Sequence, residues 1–278
     1  MPAVRARTWR WPEPDPAVTA RLADQLGCPP PFARLLAARG ISEAGEARSL
    51  LNPTAWQPCG ASALPALETA SELVADAIQR RRRIAVFGDY DADGVTATAV
   101  LTRHLRMLGG NVVPFLPRRL EDGYGLTVPA ARRCMDTLAP DLVITVDCGT
   151  SSRDAVRAIS SAGAEVIVTD HHLPDGDCAA AAAIVNPHLA PAAPPLAGVG
   201  VALELALAVS RRLDREPCGR VLNPLLELAA IGTVADCVPL TGANRAIVRA
   251  GLAALQRTSF PGLRALMEQA RTEFVRST

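Results

Sequence analysis

The stretch Arg83-Ile-Ala-Val-Phe-Gly-Asp-Tyr-Asp-Ala-Asp-Gly94 decides the fold. A short apolar run breaks at a glycine into three aspartates spaced two apart. A run of this length, closed by a turn residue, reads as a strand buried on both faces. The same grammar recurs twice. Leu142-Val-Ile-Thr-Val runs into Asp147-Cys-Gly149, and Val166-Ile-Val-Thr runs into Asp170-His-His172. Helical patterns separate these runs: Leu67–Arg82 is amphipathic, Val95–Leu108 stops at Gly109-Gly110, and Pro129–Leu138 and Ser151–Ala162 follow. Asn111–Leu116 and Ala182–Asn186 supply two further strands, and the first and third begin at Arg83 and Asp141. Strands alternating with helices of ten or so residues predict a doubly wound α/β fold with a five-stranded parallel sheet. Right-handed crossovers then place every strand's C-terminal end on one edge, where open α/β sheets carry their sites.

Working outward, residues 1–63 read as a helical N-terminal segment. Pro16–Leu26 and Pro31–Arg39 are short helices, the second closed by Gly40, and Ser42 is the expected cap of a third that stops at Asn52-Pro53. Residues 64–240 form the predicted catalytic domain. After the Ala- and Pro-rich piece 178–195 the pattern turns helical, over Val199–Leu213, Pro224–Val234, Ala243–Leu255 and Pro261–Ala270, so residues 241–278 read as a helical tail.

The acids and histidines fall where the chemistry belongs. Three strands end in Asp89, Asp91 and Asp93, in Asp147, and in Asp170, His171 and His172; a fourth acid, Asp236, closes Gly232-Thr-Val-Ala-Asp236 after an apolar helix. Carboxylates gathered on one edge repel one another and need a positive counterpart. No Lys or Arg lies inside any of the four clusters, so divalent cations are the natural one. Oxygen ligands with one or two imidazoles suit Mn²⁺ or Mg²⁺ better than a thiolate-rich zinc site. The groups exceed what one ion needs, which points to two ions sharing a carboxylate, about 3.5–4 Å apart, the arrangement that stabilises attacking and leaving oxygens in phosphoryl transfer.

Four ordered motifs, Asp89-Tyr-Asp-Ala-Asp-Gly94, Val146-Asp-Cys-Gly149, Thr169-Asp-His-His172 and Gly232-Thr-Val-Ala-Asp236, resemble the DHH phosphoesterase superfamily. The flanking words Glu121-Asp-Gly-Tyr-Gly-Leu126, His172-Leu-Pro174, Asn186-Pro187, Leu196-Ala-Gly-Val-Gly-Val-Ala202 and Val238-Pro-Leu240 are similar to its RecJ exonucleases, and the likeness covers roughly Leu64 to Ala270. It implies metal ligation by Asp91, Asp93, Asp147, His171 and Asp236, with Asp147 bridging. Asp89 stands where relatives often place a histidine ligand. His172 is implied to approach the scissile phosphate, Asp170 to orient the histidine pair, and Arg119 to hold a terminal 5′ phosphate. The implied activity is 5′-to-3′ hydrolysis of single-stranded DNA to mononucleotides in recombination and repair, by a cytoplasmic monomer whose companions are a helicase or a single-strand-binding protein. Similar proteins continue into a DHH-associated second domain and an oligonucleotide-binding barrel. Arg271–Thr278 resembles the start of the connection to them, so the sequence reads as truncated before that domain. The rival readings are a DHH phosphoesterase of small substrates (nanoRNase, cyclic-dinucleotide phosphodiesterase or pyrophosphatase) and an inactive binding module.

Composition sets limits on these readings. A net charge of +1 supplies no global field for nucleic acid. Seven cysteines without CxxC spacing suggest neither a disulfide framework nor a zinc cage and fit a reducing cytoplasm. No apolar core follows the N-terminal arginines as a signal peptide requires, and no run is long enough to cross a membrane. Several residues have structural readings. Asp-x-Asp-x-Asp-Gly also opens calcium loops, but a strand precedes it and the closing Glu is missing. Cys148 has no activating base at motif spacing and reads as a small buried thiol. Ser151 or Ser152 is the expected cap of the following helix, and Arg80–Arg83 the basic end of a helix. His104 and His188 read as structural or solvated. Gly198-Val-Gly200 suits close helix packing or a nearby phosphate equally.

Overall fold

A computed structural model describes residues 12–52, 64–215 and 219–270. The N-terminal arginines, the stop at Pro53, Cys59, Cys218 and the segment Arg271–Thr278 lie outside the described residues. The chain divides into two compact units, Met1–Thr54 and Ala55–Thr278.

The first unit contains helices α1 (Pro16–Leu26), α2 (Pro30–Ala38) and α3 (Ala44–Leu51) around Leu22, Ala33, Leu36, Ile41, Ala44 and Ala47. Asp15 caps α1 by accepting from Ala17 N at 2.8 Å, and Gly27 ends it in the left-handed region at φ 62°. The expected cap of α3 is displaced by one residue. Glu43 occupies that position without a side-chain bond, while the Ser42 carbonyl accepts from Arg21 Nη2 at 3.2 Å.

The second unit opens with α4 (Leu67–Gln79), then alternates β1 (Arg83–Phe87), α5 (Ala92–Met107), β2 (Asn111–Phe115), α6 (Val128–Leu138), β3 (Leu142–Val146), α7 (Arg153–Ser161), β4 (Glu165–Thr169) and β5 (Ala183–Val185). A 3₁₀ turn at Pro187–Leu189 leads to α8 (Gly198–Arg212), α9 (Gly219–Ala235), α10 (Gly242–Leu255) and α11 (Pro261–Gln269). All five strands are parallel in the order β2-β1-β3-β4-β5. Alternate side chains serve opposite faces, as the strand period requires. Ile84 and Val86 face a core shared with α4, α5 and α8, while Ala85 and Phe87 face one shared with α6 and α7. The sheet is therefore doubly wound, as the continuous apolar runs predict. Chain order reverses between β1 and β3, so the switch point of the sheet lies where Asp89 and Asp147 emerge.

Three boundaries differ most from expectation. Helix α4 stops at Gln79 rather than Arg82, so Arg80–Arg83 lie beyond its last turn and Arg83 opens β1. Helix α5 begins at Ala92 rather than Val95, because Asp91 caps it through Oδ1, accepting from Gly94 N at 2.8 Å; this draws Asp93 into the first turn. Helix α9 runs from Gly219 with Pro224 inside its N-terminal part. At α7 neither serine caps. Ser152 occupies the position without a side-chain bond, and Ser151 Oγ accepts from Asp175 N at 2.8 Å.

The opposite edge of the sheet uses its arginines structurally. Arg82 Nη1 pairs with Glu165 at 2.9 Å, and Arg83 Nη1 donates to Leu138 O at 2.8 Å. His104 lies in the α5–α8 core with Nε2 2.5 Å from Ser210 Oγ, and burial lowers its pKa to about 4. It is a core histidine. No helix among the described residues is long and apolar enough to cross a membrane.

Candidate metal centre

The β1 turn delivers three aspartates in three environments. Gly88 and Gly94 let it fold tightly: a Cβ on Gly88 would lie 1.9 Å from Thr98 Oγ1, and one on Gly94 2.6 Å from the Asp89 backbone. Asp89 is fully buried, with Oδ1 accepting from Tyr90 N at 2.6 Å and Oδ2 without a partner. Burial raises its pKa. Asp91 is exposed and spends Oδ1 on the helix cap. Asp93 turns inward, where Oδ2 accepts from Gly198 N at 2.7 Å and Oδ1 from Val199 N at 2.9 Å. The N-terminus of α8 thus grips this carboxylate, as helix N-termini grip anions. Burial outweighs those bonds and raises Asp93 to about 6.

Asp147 ends β3 in the left-handed region at φ 63°, which only glycine and, to a lesser degree, Asn and Asp accept readily. Its amide donates to Thr169 O at 3.0 Å, pinning the turn to β4, while its carboxyl meets the start of α8. A Cβ on Gly198 would lie 2.5 Å from Asp147 Oδ1, so only glycine lets α8 approach both acids. Gly232 does the same for α9: its Cβ would fall 2.3 Å from Thr96 Oγ1 and 2.8 Å from Asp93 Oδ1. Burial first, then Asp93 and Asp91, push the Asp147 carboxyl far above its ordinary range.

Asp170, at the end of β4, is fully engaged. Oδ1 accepts from His171 N at 2.7 Å, His172 N at 3.1 Å and His172 Nδ1 at 2.8 Å, and Oδ2 accepts from Thr150 N at 3.0 Å. Burial alone would raise its pKa; the bonds from His172 and Thr150 bring it below the usual value instead. The bond to Asp170 in turn raises His172. Asn186 Nδ2 braces the loop, donating to His172 O and Thr150 Oγ1, both at 2.9 Å.

His171 stands at the centre. Its Nε2 lies 3.1 Å from Asp147 Oδ1, 3.6 Å from Asp236 Oδ2 and 3.8 Å from Asp93 Oδ2. Among the described residues, two groups have ligand atoms close enough to share an ion: Asp93, His171 and Asp236, and Asp147, His171 and His172. Asp89 Oδ2, Asp147 Oδ1, His171 Nε2 and Asp236 Oδ2 are buried without a hydrogen-bond partner. Buried polar atoms are rarely left so, and the three that meet at His171, its own Nε2 with Asp147 Oδ1 and Asp236 Oδ2, fit divalent cations. Asp91 belongs to neither group, and Arg119 lies on the rim, its guanidinium 5.2 Å above the Tyr90 ring. Cys148 is buried and its thiol pKa lies well above the ordinary value, chiefly through burial, so it is no nucleophile.

Compared with known families, residues 83–233 match the DHH family, N-terminal domain. The chain belongs to the DHH family. Over 208 residues (74% of this chain, 30% of the relative) it is 44% identical to the single-stranded-DNA-specific exonuclease RecJ of Thermus thermophilus. Over 268 residues (92% and 45%) it is 40% identical to that of Escherichia coli. Crystal structures of RecJ from Thermus thermophilus superpose with TM-scores of 0.78 for the Mn²⁺ complex and 0.64 for the Mg²⁺ complex. Identities are 36% and 34%; coverage is 96% and 92% of this chain, and 38% and 32% of those chains. The chain spans less than half the length of these two curated relatives.

The sequence motifs contain Gly198, Val199, Gly232 and Asn186, but the contacts these residues make in the DHH centre escape a reading of the sequence. The glycine pair suits packing or phosphate equally by pattern alone. In the structure the Gly198 amide serves an aspartate of the chain itself, and Gly200 packs on Leu196.

Proposed function

We propose that the chain is the catalytic part, residues 64–240, of a single-strand-specific 5′-to-3′ DNA exonuclease that hydrolyses phosphodiesters with two divalent cations, Mn²⁺ or Mg²⁺. The observation that carries this reading is the His171 ring among Asp93, Asp147 and Asp236, with its Nε2 and two facing carboxylate oxygens unpartnered. Its support from outside is the name shared by the relatives, single-stranded-DNA-specific exonucleases.

Asp89, Asp91, Asp93, Asp147, His171 and Asp236 would hold the cations, Asp147 between them. When bound, the cations supply Lewis acidity and neutralise charge developing on the phosphoryl oxygens. The chain's own groups do the remaining work. Asp170 engages His172 through Nδ1, which leaves Nε2 as the ring nitrogen able to meet a phosphate oxygen. The α8 amides hold Asp93 in one orientation. Arg119 is exposed on the rim and has the planar fork that binds a 5′ phosphate bidentately. In this reading the enzyme acts in recombination and repair, as a cytoplasmic monomer, on strands supplied by a helicase or covered by a single-strand-binding protein.

The test is hydrolysis of 5′-labelled single-stranded DNA with Mn²⁺, beside the same sequence as a duplex, a dinucleotide and pyrophosphate. Mononucleotides should appear from the single strand first. Turnover of pyrophosphate or dinucleotides alone would overturn the proposal.

A further inference from the structure

The loop Glu121–Leu126 is built around a buried anchor, Asp122. Its Oδ2 accepts from Arg118 N at 2.7 Å, and both oxygens pair with Arg133, whose guanidinium lies 4.3 Å over the Phe115 ring. Thr127 Oγ1 donates to Asp122 O at 2.7 Å. Gly123 and Gly125 adopt φ values of 84° and 67°, which let the chain turn sharply around Tyr124.

This framework holds an aromatic side chain out in solvent. Tyr124 is 61% exposed, its ring stands edge-on to Tyr90 at 6.0 Å, and its hydroxyl lies 3.4 Å from His172 Nε2. The chain has only two tyrosines, and both sit here. Against the Tyr90 ring lies the Arg119 guanidinium. Leu120 and Leu173, 99% and 74% exposed, are neighbours in sequence of Arg119 and His172. A cation, two rings and an imidazole therefore form one continuous line along the rim of the carboxylate cluster. Nothing in the fold requires a rigidly mounted, solvent-facing ring at that place.

We propose that Tyr124, backed by Tyr90, is the stacking platform for the terminal unpaired nucleoside, seated between a phosphate at Arg119 and the scissile phosphate at His172. The inference rests on the proposed function, since it takes single-stranded nucleic acid as the substrate. Stacking on an aromatic face tolerates any base, because every base has a π-face, and it needs that face unencumbered. A pre-mounted ring loses little freedom on binding, so more of the stacking energy appears as affinity. The line of contacts would make the site measure one nucleotide from the strand end.

The test uses short single strands carrying 2-aminopurine, whose fluorescence falls on stacking, at the first, second or third position from the 5′ end. They are mixed with protein and Mn²⁺ in stopped flow and read before turnover, while cleavage of the unmodified strand is followed in parallel. Quenching should be confined to the first position, persist in Tyr124→Phe, and disappear in Tyr124→Leu with about tenfold weaker binding, as loss of one stacked base implies. Tyr124 is exposed, so these variants fold. Equal quenching in wild type and Tyr124→Leu, or quenching only at inner positions, overturns the platform while continued cleavage leaves the exonuclease reading standing. A wild-type protein that neither binds nor cuts any single strand overturns both.

Discussion

The ends of β3 and β4 lie side by side, and each presents a carboxylate that is 2% exposed. Asp170 receives four hydrogen bonds, and its pKa falls below the usual carboxylate value. Asp147 keeps a buried oxygen without a partner, faces other acids, and its pKa is driven up. The desolvation is the same; the supply of donors is opposite. One strand end is finished by the protein itself, and the other is completed only by something positive from outside. Burial of an acid is therefore uninformative by itself, whereas burial without donors marks the reactive end of the sheet.

The sharpest way to break this contrast is Asp147→Asn, which preserves a side chain tolerant of the φ of 63°. Hydrolysis should fall on the order of 10³-fold, because several kcal/mol of charge stabilisation in the transition state is lost. In chelator the melting temperature should stay level or rise, since a repelled carboxylate has been removed. Near-normal turnover would show that Asp147 is not the shared ligand.

Asp170→Ala should give the opposite stability sign. The donors of Thr150 and the histidine loop lose their acceptor, so unfolding in denaturant should show a loss of about 2–3 kcal/mol, with hydrolysis down about 10–100-fold through a misoriented His172. A variant as stable as wild type would mean that the four bonds contribute nothing.

Gly198→Ala probes the seam between the two ends. The added methyl would collide with Asp147, so α8 must retreat and loosen its grip on Asp93. A stability loss of about 1–3 kcal/mol, with weaker Mn²⁺ binding by calorimetry, is expected. Unchanged Mn²⁺ affinity would remove the α8 N-terminus from the site.

The smallest effect concerns pH. Asp147 and Asp93 bind protons more readily folded than unfolded, so without cation their contribution to stability is greatest in acid and declines as pH rises past the unfolded value of about 4. Cations displace those protons and remove the repulsion. The gain in melting temperature from Mn²⁺ over chelator should therefore be larger at about pH 8 than at about pH 5, by a few degrees (~2–4 °C per kcal/mol for a chain of this size). An equal gain at both values would contradict the raised carboxyls.

Much of this arrangement is legible in sequence because local pattern and tertiary role coincide at the strand ends. A strand buried on both faces must be apolar throughout, so Leu142–Val146 and Val166–Thr169 announce themselves, and the acids that follow must lie on one edge. What escapes depends on partners distant in the chain. The amide of Gly198 is 105 residues from the Asp93 carboxylate it serves, and Gly232 is a glycine because Thr96 and Asp93 lie against it. No local pattern encodes such approaches. The α5 boundary is hidden for a subtler reason: Asp91 has the look of a ligand, and the same aspartate is also the helix cap that moves the start to Ala92.

That 105-residue separation has a consequence for the order of events in folding. The groups around His171 come from β1, β3, β4 and the starts and ends of α5, α8 and α9, so they meet only after several long loops have closed. Contacts completed this late are mostly unformed at the folding barrier. A cation bound among them should therefore leave the refolding rate almost unchanged and act as a lock on the finished molecule, lengthening its lifetime against unfolding.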